Sequence, residues 1–165
     1  QPDRAGLRPA LGRGYGLGPG RPARLNVLDV VDRFRPRTGR AFVARVVDAV
    51  RAHVGREDLE VSLLLTDDAE IAALHARHLG DPTPTDVMSF ALDGGAEVVV
   101  SVETARRVAR EAGHAMRAEI ALYIVHGILH TVGYDDVDAA DRRRMRDAER
   151  AILGRLGLSV RDVDA

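Results

Sequence analysis

The stretch HGILHTVGYDD, residues 126–136, sets two histidines one helical turn apart and follows them with a glycine and paired carboxylates. The whole chain of 165 residues has only six histidines. The residues leading into the stretch include Ile120, Leu122, Tyr123, Ile124 and Val125. A helix apolar on every side belongs in a core. Imidazoles carried there cost free energy unless they are hydrogen-bonded or bound. Residues four apart share a helix face, so His126 and His130 can aim ring nitrogens at one ion, about 2.0–2.1 Å away. Gly133 permits a turn closed to other residues. Past it the chain can return Asp135 or Asp136 as a third ligand. Three protein ligands with one open position are the arrangement of a catalytic zinc.

Working outward, helices are expected over about 102–112, 117–131 and 138–154, the last with Met145, Ala148, Ile152 and Leu156 on one face. Nearer the start, LNVLDVV (25–31) reads as the first strand, and Phe42, Val43, Val46, Val47 and Val50 recur with a helical period. Glu60 to Leu65 reads as a buried strand, and Thr66 as the cap of a helix with Ile71 and Leu74 inward. DPTPTDV (81–87) holds two prolines and reads as a loop. Val87 to Leu92 and Glu97 to Ser101 pair as a hairpin across Asp93-Gly94-Gly95. The expectation is an α+β fold. It is a single domain with a small mixed β-sheet packed by about five helices, and its metal site lies on a central buried helix.

Composition narrows the chemistry. The chain has no cysteine, so a metal must rest on His, Asp or Glu. No apolar run approaches the ~18 residues of a membrane span, and no leader pattern is visible. A cytoplasmic protein with no membrane partner is expected. The net charge is −1, with a basic first quarter, and all 24 basic residues are arginine. Arginine suits bidentate phosphate contacts. Residues 1–24, rich in Gly, Pro and Arg, read as a disordered arm. A folded domain is expected over 25–158 and a tail over 159–165.

The quoted stretch resembles the HGxLHxxGYDH signature of the YbeY family of bacterial rRNA-maturation endoribonucleases. TDVMSF (85–90) is similar to that family's TDVLSF loop, and GAEVVVS (95–101) sits where the family has GDIVIS. Met145, Glu149, Ile152 and Leu153 fit its closing helix, and order and spacing agree from Val61 to Gly157. The resemblance implies a zinc-dependent, single-strand-specific endoribonuclease that matures the 3′ end of 16S rRNA and acts in ribosome quality control. Its partners would be rRNA and the small ribosomal subunit, with no small-molecule cofactor; the oligomeric state stays open. His126 and His130 match the first two zinc ligands, and Asp136 stands where the family has a third histidine. A carboxylate binds zinc at about 2.0–2.2 Å. It lowers the charge of the centre and widens the choice to other divalent metals such as manganese or iron.

The resemblance also implies a catalytic arginine in the helix before TDV. Leu79 occupies its place, and Arg77 is the nearest candidate. Asp86 of TDV is the candidate catalytic carboxylate. Arg106, Arg107 and Arg142 to Arg144 are further phosphate contacts, with the last three expected on a solvated face. His75 and His78 are expected on an exposed helix surface, and His114 in a loop. An alternative reading is a ribosome assembly factor whose metal is mainly structural. A metallopeptidase is the third, opposed by Gly127, which stands where HExxH enzymes carry their glutamate base.

Overall fold

A computed structural model describes residues 27–161. The arm expected over 1–24 and the end of the expected tail lie outside them. The elements run β1 (Leu28–Asp32), α1 (Arg40–Val54), β2 (Glu60–Thr66), α2 (Asp68–Leu79), β3 (Val87–Leu92), β4 (Gly95–Ser101), α3 (Val102–Ala112), α4 (Met116–Thr131) and α5 (Ala139–Arg155). The α+β expectation and the helix number both hold.

The sheet order is β1-β2-β4-β3. β2 and β4 are the most deeply buried strands, and they take the centre. β1 and β4 pair parallel to β2, and β3 closes one edge antiparallel to β4. Alternation along the strands then assigns two faces. Val61, Leu63, Leu65, Val98 and Val100 join the large core with α1, α4 and α5. Leu64, Val99 and Met88 turn the other way, onto Ile71 and Leu74 of α2.

Two boundaries differ from the sequence reading. The hairpin turn is Asp93-Gly94 alone, with Gly94 at φ 74°, and Gly95 already belongs to β4. The cap of α2 is Asp67, whose carboxylate accepts the Glu70 N–H at 2.8 Å. Thr66 instead completes β2 opposite Ser101, because strand pairing runs one residue further than the cap preference implied.

α4 lies at the centre of the fold, touching α1, α3, α5, β3 and β4. It can do so because of one residue. A Cβ at Gly127 would stand 2.7 Å from a Val98 methyl and 3.0 Å from a Val87 methyl. Glycine lets the helix seat directly on β4 and on the first residue of β3. That contact draws the chain just before β3, including Asp86, toward the middle of α4. The Ser101 N–H, donating to the Asp86 carbonyl at 2.8 Å, fixes it there.

Candidate metal centre

His126 and His130 stand on the same face of α4, with Nε2 atoms 3.0 Å apart. The helix ends at Thr131, and Gly133 turns the chain at φ 104°. The turn returns Asp136, whose Oδ2 lies 3.8 Å from His126 Nε2 and 3.6 Å from His130 Nε2. A tetrahedral centre with ligands at about 2.1 Å has edges of about 3.4 Å. The three atoms therefore approximate one face of such a centre, and the group could hold a metal ion.

The hydrogen bonds behind the two rings decide what those Nε2 atoms offer. His126 Nδ1 lies 2.6 Å from the Glu149 carboxylate, and His130 Nδ1 lies 3.1 Å from the Tyr134 carbonyl. Both neighbours only accept, so both Nδ1 atoms must donate. In neutral rings both Nε2 atoms then carry lone pairs, facing each other and the Asp136 carboxylate. Such a cluster requires a cation, either a metal ion or a proton. The proton alternative is visible in His126: burial pulls its basicity down, but the hydrogen bond and charge of Glu149, with the charges of Asp136 and Asp86, hold it above its ordinary value. Partners of this kind fix ring orientation and strengthen metal ligands.

The loop carrying Asp136 is held along its length. Asp135 accepts the Asp136 N–H at 2.8 Å, so it braces the loop and does not point at the histidines. Arg142 donates to the Asp136 and Val137 carbonyls at 3.2 and 2.6 Å. Asp138 caps α5, accepting from Ala140 and Asp141 at 2.8 Å each.

Above the centre is a cleft of about 230 Å³. Its lining includes Asp86, Tyr123, His126, Asp136, Arg142, Arg146 and Glu149. Asp86 thus shares the cleft with His126, exposed, with its carboxylate on the Val87 N–H at 2.8 Å. Arg77 is exposed on α2, the helix covering the other face of the sheet, and does not line this cleft. The cations that do are Arg142 and Arg146, on α5. Arg142, Arg143 and Arg144 are exposed, as the solvated face at 142–144 expected, and Arg142 also holds the Asp136 loop at the edge of the cleft. Arg144 lies over the Tyr134 ring, 4.8 Å from its centroid.

Two other histidines differ from expectation. His75 and His78 are half-buried: His75 Nδ1 lies 2.9 Å from the Thr83 carbonyl, and the His78 ring packs edge-on to Phe90. His114 lies in the loop between α3 and α4, as expected. Its Nε2 meets the buried Glu119 carboxylate at 2.5 Å. Sequence reasoning did not assign Glu149 to the site. Its position among Met145, Ala148 and Ile152 on the apolar face of α5 was the available sign, since a carboxylate there needs a buried partner.

The family described as Endoribonuclease YbeY matches residues 31–157. Proteins named "Endoribonuclease YbeY" are similar to the chain. That of Heliobacterium modesticaldum is 40% identical over 120 residues, covering 62% of this chain and 72% of its own. That of Pelotomaculum thermopropionicum is 39% identical over 124 residues, covering 68% and 82%. Among solved structures, a Thermotoga maritima protein determined in solution superposes with a TM-score of 0.60 at 22% identity, over 79% of this chain and 92% of that one. It supports the fold.

Proposed function

The chain belongs to the Endoribonuclease YbeY family, and on that premise we propose that it is a metal-dependent endoribonuclease cutting single-stranded RNA in rRNA maturation. The substrate proposed is precursor 16S rRNA near its 3′ end, in the context of the small ribosomal subunit and its quality control. One observation carries the reading. Two imidazoles with outward-committed Nδ1 protons converge with a carboxylate at the floor of a cleft lined by Arg142 and Arg146.

Zinc is the proposed ion, with other divalent metals open to an Asp136 centre; when bound it would polarise a phosphoryl oxygen and acidify a water. His126, His130 and Asp136 would hold it. Glu149 keeps His126 in the donating tautomer. Arg142 and Arg146 are suited to backbone phosphates, which makes binding weaken as salt rises. Asp86 is proposed as the cleft carboxylate that orients or accepts a proton. A cytoplasmic site of action is proposed too; among the described residues no helix is long and apolar enough to cross a membrane.

The peptidase reading loses support on steric grounds. An HExxH base would need a side chain at position 127, where even a methyl group meets Val98 at 2.7 Å. The test is metal content together with cleavage of a single-stranded RNA, for wild type and Asp136→Ala. About one zinc per chain, cleavage abolished by chelator, and loss of both in the variant are expected. Full metal retention by the variant would put the third ligand elsewhere. Stoichiometric metal without RNA cleavage by wild type would favour the assembly-factor reading.

A further inference from the structure

From Ala118 to His130, α4 buries every residue except Leu122, His126 and His130. These three stand four apart, so they form one stripe along the helix. Two of them belong to the candidate metal group. The third is apolar, half-buried, and lines the same cleft as His126. Leu122 lies one turn from His126, ~5.4 Å along the helix axis. The other hydrophobic residues of the lining, Tyr123 and Met145, are only 5% and 2% exposed. That leaves Leu122 as the main accessible apolar group in the cleft.

The parts of an RNA strand divide among these groups by chemistry. Phosphates suit Arg142 and Arg146, which only donate. Sugar hydroxyls are polar and gain nothing from a leucine. The flat face of a base is the apolar part of the strand, and Leu122 is the group that matches it. The cleft, at about 230 Å³, is smaller than the ~300–1,000 Å³ of a typical small-molecule site. It therefore has room for one base and not for a stacked run. We infer that Leu122 is the floor of a nucleobase subsite, which receives the unstacked base of the nucleotide beside the cut bond. A base inside a duplex has both faces covered by its neighbours, so only a single strand can supply one. The subsite enforces that requirement without reading sequence, because every base offers a flat face to an apolar side chain. This inference rests on the nuclease reading above.

The test walks one abasic nucleotide through a single-stranded RNA, past the bond that wild type cuts. KM, kcat and zinc content are read for metal-loaded full chains of wild type, Leu122→Ala and Leu122→Phe. In wild type, removing the base at one position beside the cut bond should raise KM about three- to tenfold, the range for uncovering part of an apolar side chain. Leu122→Ala should raise KM on the intact strand by a similar factor, keep its zinc, and lose nothing further at that abasic position. Leu122→Phe should restore the KM of the intact strand. One KM for every abasic strand would overturn the inference with wild type alone. So would an abasic penalty of equal size in wild type and Leu122→Ala, which puts the base on another residue. Failure of wild type to cut any RNA would reject the nuclease reading itself, a separate result from cleavage that is indifferent to the missing base.

Discussion

Two carboxylate–imidazole pairs brace α4, and they differ in what the second ring nitrogen meets. His126 is held by Glu149 of α5 at 2.6 Å, and His114 by Glu119 of α4 at 2.5 Å. His114 turns its other nitrogen to the backbone N–H of Arg161, which closes the pair. His126 turns its own to His130 and Asp136 at the cleft floor. The same two functional groups therefore make a closed strut in one place and leave a ring nitrogen facing a candidate metal group in the other. Residue type does not separate them; the neighbour of the far nitrogen does.

The sharpest way to break this contrast is to truncate each ring. His126→Ala should lose stoichiometric zinc and reduce RNA cleavage to background. It should also destabilise the metal-free protein by about 3 kcal/mol, because Glu149 keeps a buried charge without its partner. His114→Ala should destabilise comparably in denaturant melts yet retain its zinc. Zinc lost equally from both would erase the distinction. Milder changes address the carboxylates. Glu149→Gln should weaken zinc affinity about 10–100-fold, read by competition with a chelator, while Glu119→Gln should leave that affinity unchanged. Asp136→His, which completes a three-histidine set, should keep zinc at least as tightly; expulsion of the ion would show that Asp136 is not a ligand.

The smallest effect is that of pH. The His126 value is raised on folding, so its protonated ring stabilises the metal-free protein fully below the ordinary value of 6.5. That contribution fades as pH rises through the elevated folded value. Zinc needs the neutral ring, so its affinity should fall by up to about tenfold per pH unit below the elevated value. Zinc titrations between about pH 5.5 and 8 check the sign. An affinity independent of pH across that range would mean that His126 carries no competing proton.

Much of this arrangement was legible in one line of sequence. The histidine spacing, Gly133 and Asp136 are local, and local spacing on a helix fixes direction. The apolar runs of β2 and β4 likewise announced buried strands. What escaped depended on distance along the chain or on a choice between equals. Glu149 reaches His126 across 23 positions, and periodicity gives its face but not its partner. Arg142 is exposed as expected, but helical phase says nothing about the loop carbonyls that it bonds beneath the first turn. Thr66 and Asp67 are both good caps, and only the pairing of Thr66 with Ser101 chose between them. The strand order was hidden because β4 pairs with β2 across an intervening helix and strand.

The seating of α4 on the sheet also bounds what this scaffold can become. The residue next to the first histidine is where a peptidase would install its base, and here it is the point of closest approach between two layers. A point mutation therefore cannot trade one hydrolytic chemistry for the other. The layers would have to separate first, and that loosening would withdraw Asp86 from the cleft before any new group could act. The route between the two activities passes through a protein that has neither.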